Sequence, residues 1–343
     1  MGSSLESDKQ EFSDPSALGY SNSMVDVVPA AAAAELSRLA TETRAFLAAA
    51  KAESTRRAYR TDWEDFDRWC RRHSLIALPA SPQTVALYIT DLAATHKPAT
   101  LRRRLTVISG AHRAAGHPTP ASMQEALVSE TLKGIRRTLG TAQGGKRPLF
   151  TKQVRAMIRA LPATPRGTRD RALLLLGFAG AFRRSELASL ACEDVAETDD
   201  GLVIRIRRSK TDQEGRGREV AAPYGSHPDT CPVRAYREWL ACSGFATGPI
   251  FREIDRHGRI GERSIHKDSI GMIVKRAVAG IGLNPADYAG HSLRAGLATQ
   301  AYLNGATELA IMQQTGHRSL ATVRKYIRQG SLFRDNPASK LGL

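Results

Sequence analysis

The sequence predicts a two-domain protein, mainly α, with a small antiparallel β-sheet confined to its C-terminal domain, an α+β arrangement. Three observations predict it. The chain has 343 residues, more than one core of the usual roughly 100 to 200 residues holds. Apolar residues recur at helical spacing through residues 31–140, without a strand-like alternation. A period of two enters only later, at Leu202–Arg207 (LVIRIR).

Residues 1–30, rich in Ser, Asp and Pro and lacking periodicity, read as a flexible leader. A first amphipathic helix follows Ala31, with Leu36, Leu39, Thr43, Phe46 and Leu47 on one face. A second follows an N-cap at Ser54 and carries Tyr59, Trp63, Phe66 and Cys70. Ser81 and Pro82 announce a third, a cap followed by a proline whose fixed φ suits the first helical position; Val85, Tyr88, Ile89 and Leu92 lie along it. After Pro98 a fourth places Leu101, Leu105, Ile108 and His112 on one face while Arg102, Arg103 and Arg104 extend round the other. Leu127, Thr131, Ile135 and Leu139 give a fifth, completing a helical domain over 31–140.

Residues 141–150, beginning TAQGGKR before Pro148, have the composition of an interdomain linker. Beyond it, in a second domain over 151–330, helices fit Thr151–Ala160, Asp170–Ala179, Ser185–Leu190, Val233–Cys242, Asp268–Ile281, Ser292–Leu303, Glu308–Thr315 and Leu320–Gln329. Glu219–Ala222 is a returning strand for Leu202–Arg207, and Lys210 sits in the connection. A tail, 331–343, follows.

Fifty Lys and Arg against thirty-four Asp and Glu give a net charge of +16. The leader is net −4, so the body carries +20, a balance that favours a polyanionic partner, nucleic acid first. Between Lys133 and Arg147 stand five bases (Lys133, Arg136, Arg137, Lys146, Arg147) and no acid, either a solvated face or a row of phosphate contacts. No apolar run approaches the roughly 20 residues a bilayer demands. The start, MGSSLESDKQEF, lacks a charged region followed by an apolar one, so a cytoplasmic address, with no membrane partner, is expected. Cys70, Cys192, Cys231 and Cys242 form no zinc-type cluster and read as reduced and structural.

Unusual residues concentrate near the C-terminus: HSLR at His291–Arg294, TGHRS with His317, and VRKYIR with Tyr326. His291 and Arg294 are three apart, so one helical turn points both the same way. Upstream, AFRRSEL puts Arg183 at a turn into a helix, three residues before Glu186. Each residue alone has an ordinary reading. Tyr326 could be a packed aromatic, His291 or His317 a helix cap, Arg183 half of a surface pair, and Lys210 a solvated turn lysine.

Their order and spacing together resemble the tyrosine recombinase family, the phage-integrase and Cre-like enzymes. That family's signature is Arg, Lys in a β-turn, HxxR, His or Trp, and Tyr; it stands here as Arg183, Lys210, His291 with Arg294, His317 and Tyr326, the last two nine residues apart. The resemblance spans about Ala31 to Gln329 and implies a two-domain clamp around duplex DNA. A homotetramer on paired half-sites, a monomer or weak oligomer off DNA, and no cofactor are expected with it. Ser331, Leu332 and Phe333 in the tail suit docking on a neighbouring subunit, and nothing before Ala31 resembles the arm-binding domain of the lambda integrase type.

The chemistry fits the residue types. A tyrosine that attacks a phosphodiester must lose a proton, the pentavalent transition state gains negative charge, and the leaving sugar oxygen needs a proton. Arg183 and Arg294 suit the middle task, since guanidinium forks grip phosphate oxygens and stay charged. His317 would donate to the same phosphate, His291 would assist proton transfer at Tyr326, Lys210 would protonate the 5′ oxygen, and Glu186 would orient Arg183. No metal is required. Arg102, Arg103, Arg104, Lys133, Arg136, Arg137, Lys146 and Arg147 are the candidate DNA-binding residues. A type IB topoisomerase, using similar residues, and a non-enzymatic DNA-binding regulator are the competing readings.

Overall fold

In a computed structural model of the chain, which describes residues 30–50, 52–121, 125–140, 145–207, 212, 217–327, 338 and 341, the N-terminal part is helical: α1 (Ala30–Ala49), α2 (Glu53–Arg72), α3 (Pro82–Ala93), α4 (Pro98–Ala114) and α5 (Ala126–Leu139). The chain divides into two units, Met1–Gln143 and Gly144–Leu343. In the first, α2 to α5 close on a core of Phe66, Trp69, Val85, Tyr88, Ile89, Leu101, Leu105, Ile108 and Leu132. Ser81 caps α3, its Oγ accepting from the Thr84 N–H at 3.1 Å. Ser54 does not cap α2, which starts two residues earlier than such a cap would place it, behind Ala52 and without a side-chain cap. The apolar residues of α1 stay exposed, Phe46 at 75%.

The α4 arginines differ from the outward fan that the sequence predicts. Arg103 donates Nε and Nη2 to the buried Asp62 at 2.8 and 2.9 Å. Arg104 is itself buried and bonds Asp65 and the Tyr88 hydroxyl. Burying Asp62 beneath α4 demands a charged donor, so these two side chains turn to acids of α2 and Arg104 is withdrawn from any surface. Fully buried His112 links two elements, donating Nδ1–H to the Ile108 carbonyl at 2.9 Å and accepting the Ala80 N–H on Nε2 at 2.8 Å.

The second unit begins inside the stretch whose composition reads as linker. The Arg147 and Leu149 N–H groups donate to the Asp287 and Ser292 carbonyls at 2.9 and 3.0 Å, Lys146 Nζ donates to the Ala286 carbonyl at 2.5 Å, and Leu149 is fully buried. Then follow α6 (Thr151–Arg159), α7 (Pro165–Ala179), α8 (Arg184–Ser189), β1 (Val195–Thr198), β2 (Gly201–Ile206), β3 (Arg218–Pro223), α9 (Pro232–Ser243), β4 (Arg252–Ile254), β5 (Ile260–Ser264), α10 (Lys267–Ala279), α11 (His291–Leu303), α12 (Glu308–Thr315) and α13 (Leu320–Ile327). The Thr164 hydroxyl caps α7 and Pro165 opens it, five residues before apolar periodicity would start it. The sheet runs β1-β2-β3, all antiparallel, and β4 with β5 forms a separate hairpin. Leu202, Ile204 and Ile206 of β2 point to the same core as Val220 and Ala222 of β3, with Leu173, Leu174, Val233, Trp239 and Val274. A small satellite cluster, Ala298, Ile311, Val323 and Ile327, joins α11, α12 and α13. No described helix is long and apolar enough to cross a membrane.

Gly296 on α11 is fixed by the first residues of this unit: a Cβ there would lie 1.8 Å from the Leu149 carbonyl oxygen. Gly296→Ala should therefore cost about 3 kcal/mol through forced displacement of that backbone. A lowered urea midpoint of the second unit checks it, and an unchanged midpoint would mean that residues 147–149 do not pack there.

Candidate active site

The end of α7 builds the first wall. Ala181 turns the chain with φ +49, a conformation uncommon for a residue with a Cβ, and Arg183 follows as the N-cap of α8. Glu186, buried in the first turn, reaches back. Its Oε2 accepts the Arg183 N–H at 2.9 Å and its Oε1 accepts Arg183 Nη1 at 2.6 Å. One carboxylate thus satisfies an orphan donor of the helix start and aims the guanidinium.

The opening turn of α11 supplies the second wall. Arg294 is 1% exposed, and its Nη1 donates to the Ala181 carbonyl at 2.6 Å, locking the strained turn to α11. Burial, reinforced by the Arg183 charge, lowers its pKa to about 10, which still leaves it cationic at neutral pH. Nη2 lies 3.0 Å from His317 Nε2, and because guanidinium has no acceptor, Nε2 accepts. Nδ1 of His317 then donates to Thr315 Oγ1 at 2.7 Å, whose hydroxyl passes on to the Ile311 carbonyl at 2.6 Å. As arranged here His317 orients Arg294, and donation to phosphate, the role its residue type predicts, requires Nε2 to gain a proton. Burial and then the Arg294 and Arg183 charges hold its pKa at about 4.

Tyr326 enters from α13. Its hydroxyl is 2.7 Å from His291 Nε2, its ring stacks on His317 with centroids 5.3 Å apart, and its carbonyl accepts from Thr299 Oγ1 at 3.0 Å. One edge of His291 is open, yet protein crowds the rest of the ring. That desolvation, ahead of the charges of Arg294, Arg183 and Arg184, lowers its pKa. A neutral imidazole beside a phenol can take the phenolic proton.

Five of the six residues singled out in the sequence for chemistry thus converge; the sixth, Lys210, lies outside the described residues. The connection that carries it leaves the sheet at the Ile206–Arg218 pair. Three further groups border the site beyond those that the sequence singles out for chemistry. Arg218 Nη2 lies 3.5 Å from Glu186 Oε2. Gln314 Nε2 donates to the Ala179 and Ala221 carbonyls, both at 2.8 Å. Thr315 fixes the His317 tautomer. Arg218 and Gln314 act across elements distant in sequence, which no local pattern marks, whereas Thr315 acts within the TGHRS stretch, two residues before His317. Among the described residues no cluster of three His, Cys, Asp or Glu could hold a metal ion.

The basic candidates do not converge in the same way. Arg102, Arg136 and Arg137 are exposed, and Arg102 and Arg136 share a groove with Lys97 and Arg103 between α4 and α5. Lys133 pairs with Glu130 at 2.5 Å.

The model of the phage integrase family matches residues 147–331, which contain this whole constellation. An integrase/recombinase, the xerD homolog of Selenomonas ruminantium, is 41% identical over 308 residues, 89% of this chain and 90% of that protein. The chain belongs to the tyrosine recombinase (phage integrase) family. The recombinase is also 26% identical over 280 residues to the recombinase cre of Escherichia phage P1, covering 76% of this chain and 79% of that one. In fold it resembles the XerH recombinase in a post-cleavage complex with difH DNA, with a TM-score of 0.56 and 17% identity over 76% of this chain and 72% of that one. A lambda integrase dimer on a COC′ core site gives 0.54 and 16%, covering 85% and 94%. Family and relatives decide for a site-specific DNA recombinase, which cuts and rejoins DNA, over the topoisomerase and regulator readings.

Proposed function

We propose that the recombinase cuts each strand by attack of Tyr326 Oη on a phosphodiester. The phenolic proton passes to His291 Nε2, the Oη–P bond forms, and the bond from phosphorus to the 5′ oxygen breaks. Lys210 gives that oxygen its proton, and the product is a 3′-phosphotyrosyl link that the reverse steps rejoin. Arg183 and Arg294 carry the charge that builds on the nonbridging oxygens. The observation that carries this reading is the 2.7 Å contact between Tyr326 and His291 beside two guanidinium groups held by Glu186 and the Ala181 carbonyl. The partner is duplex DNA with paired half-sites, held by a homotetramer in the cytoplasm; the docking expected of Ser331, Leu332 and Phe333 in the 331–343 tail falls on residues outside the described ones.

The pH profile tests the base. Only neutral His291 accepts a proton, and its pKa lies below the usual 6.5. Cleavage should be at full rate above pH 6.5 and fall about tenfold per pH unit once pH drops below the lowered value. Single-turnover adduct formation from pH 4.5 to 8 reads it out. A limb centred above 6.5 would assign the proton to another group.

The DNA surface is tested by salt. Changing Arg102, Arg136 and Arg137 to Gln should flatten the dependence of log affinity on log salt by about 0.9 for each phosphate that these side chains neutralise. Arg104→Gln should leave the slope alone and lower the melting temperature, because its guanidinium serves Asp65 and Tyr88. A flattened slope for Arg104→Gln would return that residue to the interface.

A further inference from the structure

Arg218 opens β3, and no motif marks it. Its side chain is 20% exposed and reaches Glu186 Oε2 at 3.5 Å, while Nη1 donates to the Gln314 carbonyl at 3.2 Å. Nε is buried with no partner among the described residues. A structural arginine in this unit looks different. Arg169, more deeply buried, spends Nε and Nη2 on Asp170 at 3.0 and 2.7 Å and Nη1 on the Arg252 carbonyl at 3.0 Å. Burying a guanidinium is costly unless its donors are met, and the bonds of Arg218 meet that cost poorly. The fold nevertheless makes room for it. Gly316, the left-handed residue that ends α12 (φ +64), would place a Cβ 2.7 Å from Arg218 Nε, and His317 is the next residue.

We propose that Arg218 is a third cation of the active site, an electrostatic positioning residue that shares Glu186 with Arg183 and raises the site's charge in favour of the transition state. Arg183 and Arg218 both pair with the one carboxylate, Glu186, and Arg294 is held by the Ala181 carbonyl instead, so these four groups carry two positive charges. A phosphodiester brings one negative charge and its pentavalent transition state two. The transition state carries one more negative charge than the ground state, so a further fixed cation stabilises it more, and differential stabilisation is what accelerates a reaction. Glu186 then has two tasks: it aims Arg183 and anchors Arg218. This inference rests on the reading of Tyr326 as nucleophile.

The test measures single-turnover covalent adduct and duplex binding side by side, with Tyr326→Phe as control. Arg218→Met should lower cleavage about 100-fold, in the range seen for removing one preorganised charge, while the DNA dissociation constant changes less than about threefold. Arg218→Lys should stay within about tenfold of wild type. Arg218→Gln, polar and uncharged, should match Arg218→Met in cleavage, and a thermal melt on each variant checks that it is folded. Cleavage by folded Arg218→Met or Arg218→Gln within threefold of wild type, or Arg218→Lys no faster than Arg218→Gln, overturns the proposal. Adduct formed by Tyr326→Phe would instead overturn the reading beneath it, whatever the Arg218 variants do.

Discussion

Tyr326→Phe is expected to form no covalent protein–DNA adduct, a loss of about 10⁵-fold or more, the scale seen when a nucleophile is deleted. The fold should survive. The ring keeps its place between His317 and His291, 5.3 and 5.5 Å from their centroids, and Val323 and Ile327 still anchor α13 on Ala298 and Ile311. What disappears is one half-exposed hydrogen bond to His291, worth about 1 kcal/mol net, or roughly 2 to 4 °C in the melting temperature of a unit this size. DNA affinity should be unchanged within error, since the hydroxyl carries no charge. End-labelled duplex on a denaturing gel, with a mobility shift and a thermal melt on the same preparation, separates these outcomes. A shifted band that survives denaturation in the phenylalanine variant would place the nucleophile elsewhere.

Much of this site is legible in the chain because its parts are local. His291 and Arg294 share one turn by their spacing, Gly316 and His317 adjoin, and Glu186 lies in the turn that Arg183 starts. Residue type then states the chemistry, since few constellations other than a phosphate site want two arginines, two histidines and a tyrosine. Long-range positioning is not written locally. Nothing around Arg218 distinguishes it from Arg216, its neighbour in the GRGR stretch of residues 215–218, and its role depends on β3 pairing with β2 and on α12 ending beside both. At the turn that Arg294 locks, Gly180 stays right-handed as the C-cap of α7, and the left-handed residue is Ala181, with φ +49, where residue type gives no hint of it.

The same limit governs the helical unit. Periodicity finds α2 to α5 because each buries one face, but it treats every arginine as surface. Arg103 and Arg104 follow instead the acids of α2, Asp62 and Asp65, a pairing across elements that helical spacing does not record. The strands β1, β4 and β5 escape for a related reason: VAET, REI and IGERS bury too little to alternate. Conversely α1 has an apolar stripe and buries none of it in the described chain, so amphipathicity fixes the helix without fixing what covers it.

Lys210→Ala should slow cleavage of ordinary DNA by about two to four orders of magnitude, the range of general acid catalysis, and regain it when sulfur replaces the 5′ bridging oxygen. A thiolate leaves without a proton, so a deficit confined to protonation vanishes with the need for it. Arg294→Ala should be as slow or slower on the oxygen substrate and gain little from sulfur. Its loss removes charge from the nonbridging oxygens, and it also frees the Ala181 turn and His317, which the guanidinium holds at 2.6 and 3.0 Å. The two variants thus separate by the ratio of thiolate to oxygen rates rather than by either rate alone. A ratio for Lys210→Ala no larger than that of wild type moves the acid elsewhere. His317 then comes first, because Nε2 lies beside Arg294, and protonating it would break that bond and turn an acceptor into a donor facing the phosphate site.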